Sequence, residues 1–206
     1  MTQLRHNNDR IHSQIAFIAE IDKLKGVLRK TLILDKSRFE NTAEHSWHAS
    51  VIAMLLLEHA NEPGLDLYRI IRMLLLHDIV EIDAGDTFAY DAQGYEDKAE
   101  REQAAANRLF GLLPADQRDE YMLLWREFED GETQEARYAA AIDRLHPVIN
   151  NYYTGGYSWL KNGVLRSQVI KRLSIVSTVS DTLWQFTLDL LQKSVDQGML
   201  LDDPVY

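Results

Sequence analysis

Cysteine is absent from the chain, which removes disulfides and thiolate metal sites and leaves no sign of an oxidising compartment. Only 4 prolines and 10 glycines occur among 206 residues, while Leu, Ala, Glu, Arg and Ile are frequent. Few breakers and many helix formers favour helix throughout, and strand-like alternation is missing. No apolar run approaches the length that crosses a bilayer, and the polar opening Met1 to Arg10 lacks the apolar stretch of a signal peptide. A cytoplasmic protein with no membrane partner is the expectation. Positive charge is scarce too: 22 Lys and Arg against 32 Asp and Glu give a formal charge of −10. Nucleic-acid polymers and anionic membranes need basic surfaces, so neither is an expected partner. A small phosphorylated ligand is not excluded, because a few arginines focused in a cleft can hold one phosphate whatever the overall charge.

What is there is a globular composition, 46% hydrophobic and 26% charged, in a length that fits one domain with a continuous core. The expected fold class is all-α: a single helical domain over residues 1–206, built from about seven or eight helices. Ile11, Ile15, Ile18, Ile21, Leu24 and Leu28 recur at helical spacing and predict a first helix over about residues 9–26, with Gly26 ending it. Residues 27–40 lose the pattern and read as an ordered loop carrying Arg29, Lys30, Lys36 and Arg38. Asn41 stands three residues before Glu44, the spacing of a capping box, so a second helix starts there and runs to about His59 with His45 in its first turn. Asp66 caps a third helix that ends at Gly85. Residues 86–95 form a loop, and charged helices are expected over about 96–112 and from Pro114 to 129. Thr133 caps a small-residue helix that holds Asp143 in its apolar half and meets Pro147. Val164 to Gly198 reads as two helices, or one broken near residues 174–178.

The chemistry concentrates after Leu74-Leu75-Leu76, where an apolar run delivers His77-Asp78, then Glu81, then Gly85-Asp86. Ionisable groups in a core element are costly unless something pairs with them. A divalent cation is one such partner, since imidazole nitrogen and carboxylate oxygen are ordinary ligands of first-row metals. On a helix His77 and Asp78 point about 100° apart, and Glu81 follows on the same side. The alternative is a His-Asp pair satisfied by hydrogen bonds, with Glu81 on a wet edge. Three predicted helices then carry candidate ligands: His45 on the second, His77 and Asp78 on the third, Asp143 on the sixth.

The order His, His-Asp, Asp resembles the HD-domain superfamily of metal-dependent phosphohydrolases. The segments Arg38 to His48, His77 to Thr87, Leu124 to Glu129, Thr133 to Ala136 and Ala141 to Leu145 are similar to the branch containing the 5′-deoxynucleotidases, a likeness that covers about residues 20–160. The resemblance implies a helical HD domain in which His45, His77, Asp78 and Asp143 bind one divalent metal. Mn, Co, Fe, Zn and Mg are not distinguished. It also implies cleavage of the 5′-phosphate of nucleoside monophosphates and pairing as a homodimer. Glu81 and Asp86 match the family's acidic positions that handle the attacking water or the leaving oxygen, and Arg29 matches its phosphate-contacting arginine. Lys30 stands where some relatives place an aromatic. Arg38 and Lys98 are further candidates for substrate binding.

The residues support the same reaction class: two imidazoles and two carboxylates leave positions open on a metal, and Glu81 beside it could act as base or orienter. A non-catalytic metal- and nucleotide-binding regulatory module is the alternative. A triphosphate hydrolase would need more basic residues than the relevant segments hold. His48 is expected to pack or support the site from behind, His59 to be a solvated helix-end residue, and His146 to be structural. Trp47, Trp125, Trp159 and Trp184 read as core or dimer-interface residues, and the carboxylates from Glu96 to Glu102 as a solvated helix face from which Lys98 and Arg101 could lean toward the phosphate.

Overall fold

The computed structural model describes residues 2–203, with side chains from residue 9 onward; Met1 and residues 204–206 of the expected 1–206 domain, and most side chains of the Met1 to Arg10 opening, lie outside the described residues. In chain order the elements are α1 (Thr2–Ile21), a 3-10 turn (Asp22–Gly26), strands β1 (Leu28–Leu32) and β2 (Phe39–Asn41), α2 (Thr42–Leu56), a second 3-10 turn (Leu57–His59), α3 (Leu67–Leu76), a third 3-10 turn (His77–Val80) and α4 (Glu81–Ala84). There follow α5 (Lys98–Phe110), α6 (Ala115–Asp130), α7 (Gln134–Tyr153), α8 (Tyr157–Lys161), α9 (Arg166–Leu173), α10 (Val176–Val179) and α11 (Asp181–Asp196). The architecture is helical, as expected. No helix among the described residues is long and apolar enough to cross a membrane.

Three predicted helix starts are built as their sequences require. The Asn41 side chain accepts from the Glu44 backbone N–H while the Glu44 side chain accepts from the Asn41 N–H, a complete capping box. Asp66 accepts from the Arg69 N–H and Thr133 from the Ala136 N–H. Pro114 sits at the cap of α6 rather than inside it. Helix α7 runs through Pro147 to Tyr153; the missing proline N–H leaves the Asp143 carbonyl, one turn back, without its helical partner.

Two expectations are corrected. Residues 27–40 do not form a plain loop: β1 and β2 pair antiparallel, with Leu28 opposite Asn41 and Leu32 opposite Phe39 and an irregular register between. Strands of five and three residues are too short to print alternation on the sequence. His77 and Asp78 do not lie on an uninterrupted helix either. Helix α3 stops at Leu76 and the chain tightens into the 3-10 turn at residues 77–80 before α4, which Gly85 ends at φ +75°.

That turn lies between two apolar cores. One is formed by α2, α3, α7 and the C-terminal helices around Ile70, Leu74, Tyr138, Ile142 and Trp159; the other joins α1, α5 and α6 around Phe17, Leu109, Phe110 and Trp125. Leu74 belongs to the first, and Ile79 and Val80 to the second. Apolar residues on both flanks fix the short turn that carries His77 and Asp78.

Candidate metal centre

Helix α2 supplies His45, the 3-10 turn supplies His77 and Asp78, and α7 supplies Asp143; one donor atom from each lies within 4.8 Å of all the others. His45 Nε2 is 2.8 Å from Asp143 Oδ1 and 3.9 Å from Asp78 Oδ2, and His77 Nε2 is 3.1 Å from Asp78 Oδ1 and 3.5 Å from Asp143 Oδ1. Both imidazoles are buried.

The donor set fits a divalent cation. His77 Nδ1 donates to the Leu74 carbonyl at 2.9 Å, so the lone pair stays on Nε2, which is buried with no hydrogen-bond partner. His45 Nδ1 is 2.9 Å from His146 Nδ1, and His146 Nε2 lies 3.5 Å from Glu40 Oε1. Burial and the neighbouring His45 and His48 push His146 well below the usual histidine range, so it stays neutral and can accept from His45. That hydrogen bond leaves the His45 lone pair on Nε2, facing Asp143. Burial would lower His77, but the Asp78 and Asp143 carboxylates outweigh it and hold the imidazole above its ordinary range. Against the same burial, His77, Arg29 and His45 hold Asp78 down to about 2, and the two histidines hold Asp143 well below the carboxylate range.

Beside this cluster stand Glu81 and Asp86, both pushed above the ordinary carboxylate range by burial and by Asp78, with Arg29 opposing. Glu81 accepts a hydrogen bond from Thr42 Oγ1 at 2.8 Å. Arg29, on β1, has its Nη1 3.0 Å from Asp78, 3.6 Å from Asp86 and 4.0 Å from Glu81, with Nε 3.9 Å from Glu40. The hairpin therefore delivers one cation to four carboxylates.

Two adjoining clefts open here and share Arg29, Asp86, Thr87, Asp143, Arg144 and Arg172. One extends past His77, Glu81 and Lys98, the other past Phe88, Tyr90 and Trp159. Lys98 lines the first but is ion-paired with Glu102 at 2.6 Å. Glu96, Asp97 and Glu100 are exposed, as expected of a solvated face, but Glu102 is 5% exposed and departs from it. Arg38 joins neither cleft; it is exposed and gripped bidentately by Glu44. Arg101 instead ties down residues 84–94 by donating to the Ala84 and Gly94 carbonyls. His48 packs edge-on against His146, outside the four-donor cluster, and Trp47 is 62% exposed.

Glu40, His146, Arg144 and Arg172 were not singled out as site residues by their sequence context. His146 carried one signal: it follows Asp143 by three residues on the same helix, and so shares its face.

The HD domain family matches residues 21–184. The chain belongs to that family. It is similar, at 49% identity and TM-score 0.89 over 94% of this chain and 96% of the other, to a crystal structure from Magnetospirillum magnetotacticum MS-1 described as a predicted metal-dependent phosphohydrolase. The human 5′-deoxynucleotidase HDDC2 is 29% identical over 138 residues, 66% of either chain. Its Xenopus laevis counterpart is 30% identical over 66% of this chain and 67% of its own. The matched region thus spans about two thirds of these curated relatives.

Proposed function

We propose that the protein is a metal-dependent phosphohydrolase that removes the 5′-phosphate from nucleoside or deoxynucleoside monophosphates. One observation carries the reading: two imidazoles and two carboxylates from three separate elements converge, with Glu81, Asp86 and Arg29 beside them. A structural His-Asp pair needs no such company. The names of the curated relatives, all 5′-deoxynucleotidases, support the substrate class.

In this reading His45, His77, Asp78 and Asp143 hold one divalent ion. Such an ion lowers the pKa of water and neutralises charge on a phosphoryl group. The protein's own contribution is positional. Glu81, whose carboxylate burial and Asp78 make more basic, orients the attacking water and takes the proton it releases. Asp86 handles the leaving oxygen. Arg29 keeps Asp78, Glu81 and Asp86 together and offers positive charge to the phosphate. Two chains pair as a homodimer, with Tyr153 and Tyr157, 61% and 38% exposed, at the contact.

A screen of purified protein against Mn, Co, Fe, Zn and Mg with nucleoside and deoxynucleoside 5′-monophosphates, reading released phosphate, tests the proposal. Turnover that depends on the ion and on the 5′-phosphate is expected. Ligand binding without turnover under every ion would instead identify a regulatory module.

A further inference from the structure

Three cations line both clefts, and they differ in what they face. Arg29 is engaged by the carboxylates described above, and Lys98, in one cleft only, is held by Glu102. Lys30 is exposed and lines only the other cleft. Arg144, on α7, and Arg172, in the last turn of α9, have no ion pair among the described residues. Arg144 spends one N–H on the Arg172 carbonyl at 3.3 Å, and Arg172 spends one on the Tyr95 hydroxyl at 3.1 Å. A guanidinium carries five N–H donors, so most of this capacity is unused.

The two arginines also stand together: the Arg144 guanidinium reaches the backbone carbonyl of Arg172, and both side chains line the wall shared by the two clefts. A dianion seated against both guanidinium groups takes up their free N–H donors, and planar forks suit phosphoryl oxygens.

We propose that Arg144 and Arg172 form the clamp for the substrate's phosphate group, beside Asp143 and on the wall common to the two clefts. This deepens the hydrolase reading and rests on it. It adds α7 and α9 to the phosphate site, alongside the hairpin's Arg29, which also organises the acids.

The test compares parent, R144Q and R172Q proteins, manganese-loaded, by calorimetric titration with inorganic phosphate, by steady-state kinetics on deoxyadenosine 5′-monophosphate, and by metal content and melting temperature. Each substitution should weaken phosphate binding about ten-fold or more and raise KM by a similar factor. The expected change in kcat is smaller, and metal content should stay at the parent level. R144Q also loses a bond to the end of α9, so R172Q, whose lost partner is a tyrosine hydroxyl, decides the matter if R144Q fails to fold. Folded R172Q that binds phosphate as tightly as the parent overturns the clamp. Phosphate binding that depends on both arginines in a parent protein without turnover keeps the clamp and removes the hydrolase reading. Turnover in the parent that is indifferent to both substitutions does the reverse.

Discussion

Arg29 is one guanidinium facing Asp78, Glu81, Asp86 and Glu40, so its loss leaves acids in a dry site without a counter-charge. Arg29→Met should cost about 3–5 kcal/mol of stability in the presence of chelator. The sign of its pH dependence follows from the acids. Without Arg29 the folded-state pKa of Asp78, Glu81 and Asp86 rises, and a raised folded pKa means stability that is present at low pH and lost as pH increases. The melting-temperature gap between parent and variant should therefore widen from pH 5 to pH 8; a gap that is constant or narrows would show that Arg29 does not compensate these carboxylates. Glu81→Gln isolates the chemistry. Turnover should fall by roughly 10²–10⁴-fold while metal content stays at the parent value, and a loss of metal in step with turnover would make Glu81 a ligand instead. At this scale the four-donor set was legible because His, His-Asp and Asp stand in motifs with chemical meaning. Glu40 and His146 were not, since their role depends on which ring nitrogen of His45 faces inward, a fact that only three-dimensional neighbours determine. Arg144 and Arg172 escaped for another reason: 28 positions apart, they meet only when α7 and α9 pack.

Elements position these residues through their ends rather than their middles. The capping box at Asn41 and Glu44 starts α2 at Thr42, three residues before His45, and Gly85 stops α4 next to Asp86. Those boundaries could be read directly, because caps and glycines act locally. The break of α3 into a 3-10 turn could not, since Leu74 to Val80 holds no proline, glycine or cap and its weak helix formers His77 to Val80 are only a mild signal; the turn places Leu74 in one core and Ile79 and Val80 in the other. Likewise, the hairpin at residues 28–41 is held by Arg29 reaching the acids and by pairing across a short register. Gly156 is a further end that matters. It sits at φ +73°, where a Cβ would overlap the Met199 backbone as the tail after α11 folds across to pair Leu201 with Leu165. Gly156→Ala should cost at least about 1–3 kcal/mol in urea unfolding; a variant as stable as the parent would mean that this crossing is loose.

At the scale of the molecule, composition alone pointed to helix, and the described residues include eight helices of eight residues or more (α1, α2, α3, α5, α6, α7, α9 and α11), which match that reading. Surface association was less legible, because an exposed aromatic such as Tyr153 does not record its partner in sequence. Sedimentation at micromolar concentration should give a dimer, and a monomer would remove the proposed pairing. The most direct test takes metal content per chain and phosphate release on the same samples of parent and Asp78→Ala protein. The expected result is one ion per chain with metal-dependent release in the parent, and loss of both in the variant with helix content retained. Two ions per chain in the parent, or full turnover in Asp78→Ala, would contradict a hydrolytic centre built on His45, His77, Asp78 and Asp143.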